Sequence, residues 1–362
     1  MSGIKQPTLG IVASILIMAL SLVFISLFSF QQFSGWVAFY LLCLIPMELV
    51  ASVTWGSAEP GFVGRASQPL RGILLMLLCG VVGVGVTYLH WVFAGASVSP
   101  PAPMLSMTII ASVVIMFWMS IMFGGWPFTT LIPNKVAAGF VMLVVCYLIN
   151  YGLFRVFFNY DFMQGAPVYV ASLDPHGLFN AWDAVVFYVT AIAPLFLVAL
   201  FDMWPLSKSP SLMKQPVLGI VWTIIALVIG GGAFYIGVVA MHMDPMKFLL
   251  SVTIPFIFGT IIMLNMLQNS VFAKFQQPLK GVLNLIASIV VGEVLAAIFS
   301  ALAPVVTGNL KEGPPAYDHE IWLASALLSV TFPFLVAYAD FFQMWPLQRA
   351  KAEKAVETAA GR

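Results

Sequence analysis

The chain has 362 residues, 61% of them hydrophobic and only 8% charged, with a formal net charge of +1. Soluble domains carry about 25% charged residues, so the composition excludes an ordinary soluble protein, and the near-neutral charge excludes a nucleic-acid partner. It points to an all-α integral membrane protein with the lipid bilayer as its main partner.

A helix needs about 20 apolar residues to cross the hydrocarbon. Ten runs qualify, at roughly 9–30, 36–56, 70–93, 105–126, 136–158, 182–203, 216–240, 248–271, 279–303 and 321–345. They are continuous rather than alternating, which excludes spanning strands. The first run is too long for a signal-peptide core and is expected to be a retained span. All lysines and arginines except Arg155, Lys247 and Lys311 fall on one side of these spans. The positive-inside rule makes that side cytoplasmic, and an even span count puts both termini there. Tryptophans cluster at predicted span ends, Trp36, Trp91, Trp182 and Trp322 at one set and Trp55, Trp126, Trp204 and Trp345 at the other. Amphipathic rings prefer the two interfaces.

The spans repeat. Lys5-Gln6-Pro7-Thr8-Leu9-Gly10 recurs as Lys214-Gln215-Pro216-Val217-Leu218-Gly219, and Gln68-Pro69-Leu70-Arg71-Gly72 as Gln277-Pro278-Leu279-Lys280-Gly281. Proline suits a first helical turn, the cation suits anionic headgroups, and the glycine allows close helix approach. A central unit, Asn134-Lys135-Val136-Ala137-Ala138-Gly139, keeps the cation and the glycine but lacks Gln-Pro. Even-numbered spans carry mid-span prolines at Pro46, Pro194, Pro255 and Pro333, which bend helices. Three of them end in Trp-Pro. These patterns predict five tandem parallel helical hairpins. A first four-helix repeat covers 1–134, a singleton hairpin 135–207, a second four-helix repeat 208–347 and a polar tail 348–362.

Two carboxylates fall deep in predicted spans. Glu48 follows Pro46, and Glu293 follows Val290-Val291-Gly292. A charged carboxylate at mid-bilayer costs about 2.5–3.5 kcal/mol on insertion scales, so such groups turn toward a cavity or a partner. They are candidates for substrate binding or proton coupling, or else protonated acids bonded to a neighbouring helix. Arg155 is a candidate partner for either, or snorkels to the interface. His90 completes this set. On the face away from most cations lie His176, His319, and His242 with Asp244, the last two beside Met241, Met243 and Met246. Imidazole, carboxylate and thioether donors suit a transition metal, copper, iron or zinc. Gly230-Gly231-Gly232 marks either a broken helix or close packing. Cys43, Cys79 and Cys146 sit in apolar runs as buried thiols. No phosphate loop, dinucleotide fingerprint or paired-cysteine metal motif occurs.

The expected function is a transporter or permease of the bacterial inner membrane. The spans hold too few polar residues for a hydrophilic pathway, so the solute is small and weakly polar or hydrophobic, with proton coupling through the carboxylates. The alternatives are a membrane enzyme or enzyme subunit with a metal at the outer face, and a scaffold that binds lipid, pigment, partner subunits or further copies of itself.

Overall fold

The structure, a computed structural model, describes residues 4–56, 58–165, 169–314 and 316–348. Apart from Gln348, the tail 348–362 lies outside the described residues. Among them, ten helices are long and apolar enough to cross a membrane. They are α1 (Thr8–Ile25), α2 (Phe30–Trp55), α3 (Leu70–Phe93), α4 (Met104–Met122), α5 (Lys135–Phe157), α6 (Ala181–Leu200), α7 (Val217–Ala240), α8 (Pro245–Met266), α9 (Leu279–Val306) and α10 (Asp318–Phe341). The only sheet pairing among the described residues is a two-residue parallel bridge, Phe158–Asn159 to Phe179–Asn180, in the α5–α6 loop.

Burial separates the helices into two sets. In the most apolar stretch of each even-numbered helix, 61% to 72% of residues are buried, against 22% to 39% in the odd-numbered ones. The even-numbered helices pack on one another in chain order, and α10 returns to α2, so the five close a ring. The odd-numbered helices lie outside this ring, each across neighbouring ring helices: α1 over α8 and α10, α3 over α10 and α2, α5 over α2 and α4, α7 over α4 and α6, and α9 over α6 and α8, with its far end also against the start of α10.

The Gln-Pro motif docks the outer helices. Gln6 Nε2 donates to the Met266 carbonyl at the end of α8 (2.8 Å) and Gln68 Nε2 to Phe341 at the end of α10 (2.6 Å). Gln215 donates to Met122 at the end of α4 (2.8 Å), and Gln277 to Leu200 at the end of α6 (3.4 Å). These are the carbonyls that a helix C-terminus leaves unpaired. In three units the same glutamine accepts from the motif glycine, at Gly10, Gly219 and Gly281. Those glycines rest against the ring helix just docked. In the unit without Gln-Pro, Asn134 Oδ1 accepts from Val136 and Ala137 and caps α5, while Gly139 still packs on Trp55 and Val50 of α2.

Two of the motif cations are engaged within the protein rather than free for headgroups. Arg71 pairs with Glu59, and Lys280 with Asp202 (2.7 Å).

Within the ring, the helices widen locally into π-turns, at Leu249–Thr253 just before Pro255 and at Ser325–Thr331 just before Pro333. The wider turn absorbs the hydrogen bond and the space that a proline denies the preceding turn. Gly230-Gly231-Gly232 does not break α7. Gly230 sits against the Thr190 carbonyl of α6, which is the close-packing role.

Candidate functional site

The ring encloses three cavities in file, each lined by all five even-numbered helices. Lys5, Arg71, Lys214 and Lys280 at the starts of α1, α3, α7 and α9 make one face basic, and the opposite one is the far face. The cavity toward the far face measures about 70 Å3 and is lined by serines (Ser34, Ser106, Ser325, Ser329), methionines (Met107, Met163, Met246) and Trp182. The middle cavity, about 40 Å3, is lined entirely by apolar side chains. It shares Leu42, Ile110 and Leu328 with the first cavity and Phe117, Phe196 and Phe332 with the third. The third, about 350 Å3, opens toward the basic face and carries Ser52, Asn265, Gln268 and Asp340.

The boundary between the middle and third cavities is aromatic. The Phe117 ring lies 5.5 Å from that of Phe196 and 5.8 Å from that of Phe332, centroid to centroid. One phenylalanine comes from each of α4, α6 and α10. A constriction of this kind holds water poorly, because nothing in it replaces water's hydrogen bonds.

The sequence-predicted residues are not gathered at one point. Glu48 is 1% exposed on α2, with Oε2 unpartnered. It does not line the axial cavities, although its α-helical neighbours Ile45 and Leu49 do. The titratable groups close enough to interact with it are Asp340 of α10 and Cys79 of α3. Glu293 does not turn inward: it is exposed on the outer face of α9. Arg155 is likewise exposed in the last turn of α5 and pairs with neither acid. His90 is buried, with Nε2 2.5 Å from Thr108 Oγ1 of α4 and its ring 5.8 Å from that of Phe39. It touches a lateral apolar cleft between α3 and α5 and not the axis.

The expected metal ligands are dispersed. Asp244 accepts from the Lys247 amide (3.0 Å) and the Tyr317 hydroxyl (3.0 Å). Burial, then the hydrogen bond to Asp244 and that residue's charge, push the Tyr317 phenol up to about 12, so it stays a donor. His319 Nε2 lies 3.1 Å from Ser300 of α9, and His242 is exposed on a left-handed turn. Among the described residues, one group has spacing that could hold a metal: Asp161, Asp174 and His176, with ligand atoms within 4.8 Å of one another. Asp174 already accepts from the Tyr160 amide, the Tyr169 hydroxyl and the His176 amide. Its carboxylate therefore has a loop-building role whether or not a metal is present.

Sequence reasoning missed Asp340, the one ionisable side chain on the axis among the described residues. It is the only acid inside the tenth apolar run, and that signal was available. It also missed Asn150 and Asn284, each fully buried with both amide atoms unpartnered.

Ten helices long and apolar enough to cross a membrane mark the chain as a multi-pass α-helical membrane protein. No protein-family model matches the chain, and neither do any curated protein or solved structure.

Proposed function

We propose that the protein is a membrane transporter or permease whose pathway is the axis of the even-numbered ring, carrying a small, weakly polar or hydrophobic solute. The observation that supports this is the file of three cavities, each lined by all five ring helices and interrupted at Phe117, Phe196 and Phe332. Polar groups line the two ends and none lines the middle. Such a path suits a solute that can shed water cheaply.

On this reading the ten helices are five tandem parallel hairpins, with a four-helix repeat at 1–134, a singleton hairpin at 135–207 and a second four-helix repeat at 208–347. Both termini are cytoplasmic and the protein sits in an inner membrane. Glu48, buried on α2 with Oε2 unpartnered, is the group assigned to proton coupling. Exposed Glu293 is the group assigned to a partner subunit or a second copy, since lipid offers a carboxylate no partner.

The test is solute flux in proteoliposomes, read by light scattering with urea, acetamide and glycerol as probes. Wild-type protein is expected to raise flux of at least one probe above protein-free vesicles. Phe117→Ala or Phe332→Ala is expected to raise it severalfold further. Flux equal to that of empty vesicles for every probe, in the wild type and both variants, would remove the reading.

A further inference from the structure

Hydroxyl groups inside the spans follow a rule, and the axis breaks it. Buried serines and threonines here bond to a carbonyl about one turn back: Ser14 to Gly10, Ser21 to Ile17, Thr87 to Gly83, Ser112 to Ile109, Thr260 to Ile257 and Ser288 to Asn284. That is the default for a hydroxyl without water. Among the described residues, four buried hydroxyl oxygens lack any partner: those of Ser52, Thr54, Ser106 and Ser329. Three of these residues line the axial cavities, and two of them, Ser106 and Ser329, line the same one.

Ser329 gives the sharpest comparison. The motif Ser329-Val330-Thr331-Phe332-Pro333-Phe334 in α10 matches Ser251-Val252-Thr253-Ile254-Pro255-Phe256 in α8. Ser251 is exposed and donates to the Lys247 carbonyl at 2.6 Å. Ser329 is 1% exposed and donates to nothing. One local sequence thus holds its hydroxyl in α8 and leaves it unbonded in α10, on a residue that lines a cavity. A buried polar group without a partner costs about 1–3 kcal/mol, and a bound guest relieves that cost.

Resting on the transport reading above, we infer that the far-face cavity is a solute-binding subsite in which Ser106 and Ser329 hydrogen-bond a small uncharged molecule, while methionine and leucine side chains enclose its apolar part. The cavity's size, about 70 Å3, admits a few non-hydrogen atoms. Among the described residues, no charged side chain lines it. An ion there would lose its hydration and find no counter-charge. An amide or an alcohol finds hydroxyls that both donate and accept.

The experiment compares acetamide and urea flux in proteoliposomes for wild type, Ser329→Ala, Ser106→Ala, Ser329→Thr and Phe117→Ala, with melting in detergent as a folding control. Each alanine variant is expected to melt at or above the wild-type temperature and to lose about five- to tenfold in flux, the value of one hydrogen bond. Ser329→Thr keeps the hydroxyl and is expected to retain most of the flux. Wild-type flux in both alanine variants, with Phe117→Ala still raising it, overturns the subsite and leaves the axial pathway standing. Equal losses in Ser329→Ala and Ser329→Thr make the position a packing site and overturn the subsite too. No flux in any protein overturns the pathway and this inference together.

Discussion

Gly292 and Gly232 each lie in an apolar stretch of an odd-numbered helix, yet their surroundings are opposite. A Cβ on Gly292 would overlap the Pro255 carbonyl oxygen of α8, and one on Gly259 of α8 would overlap the Ser288 carbonyl of α9, whereas a Cβ on Gly232 meets nothing within 4 Å. Gly292→Val should therefore destabilise by about 3 kcal/mol or more, since two backbones must separate. Gly232→Ala should be neutral or stabilise by about 0.5–1 kcal/mol, because alanine loses less entropy in a helix. Thermal melting in one detergent measures both, and equal melting of the two variants would refute the assigned contacts. Glu48 and Glu293 teach the same lesson at this scale. Both are acids in apolar runs; one is buried beside α10 and the other faces outward. Sequence marks each as unusual and cannot say which way a helical side chain points.

At the scale of elements, docking of odd on even helices rests on a few polar contacts whose residues the repeats had singled out. The glutamine role was not legible, because its acceptor is a backbone carbonyl that belongs to a distant helix. Gln6 and Met266 are 260 residues apart in sequence. The α6–α9 junction adds a titratable contact. Partial burial pushes the Asp202 carboxyl up, but hydrogen bonds from Lys280 and Gln277, with the Lys280 charge, outweigh it and hold the group below its usual value. An unfolded aspartate titrates near about 3.9. The contribution to stability is thus fully present above that pH and is lost as pH falls through the lower folded value. The Asp202 side chain is 47% exposed, so solvent screening keeps the effect small. As pH falls below about 4, melting temperature should drop more steeply in wild type than in Asp202→Asn; parallel curves would refute the assignment. Tryptophans show a second limit on reading elements. Trp55 and Trp322 sit at predicted span ends, but both are wholly buried, and Trp322 Nε1 donates to Thr307 at 2.7 Å. They serve the interior rather than an interfacial belt.

For the whole molecule, the strongest sequence expectation concerns orientation. Cations crowd the starts of α1, α3, α7 and α9, and an even number of helices returns the chain to that face. Single cysteines placed near Lys5 and near Gln348, in a background without Cys43, Cys79 and Cys146, should label from the same side of sealed inside-out vesicles with an impermeant maleimide. Labelling from opposite sides would overturn the arrangement. Parallel repeats pointed to a ring or bundle, but which helices form the ring and that it encloses cavities were hidden. Odd- and even-numbered spans overlap in hydropathy, and a helix facing lipid is as apolar as one facing protein. Hydropathy therefore locates the spans without sorting inner from outer. The mid-span prolines were the usable clue, since four of the five buried helices carry one.

Length, composition and periodicity were enough to determine ten spans, their punctuation by Gln-Pro and Trp-Pro, and the scarcity of polar groups between. These properties are local, because the energy of crossing a bilayer depends on one segment at a time. Which helices line an axis, that Phe117, Phe196 and Phe332 meet across it, and that Ser106 and Ser329 are left without a carbonyl were decided by tertiary packing alone. Each depends on the rotation of one helix against others far away in the chain, and in a uniformly apolar span nothing local fixes that angle.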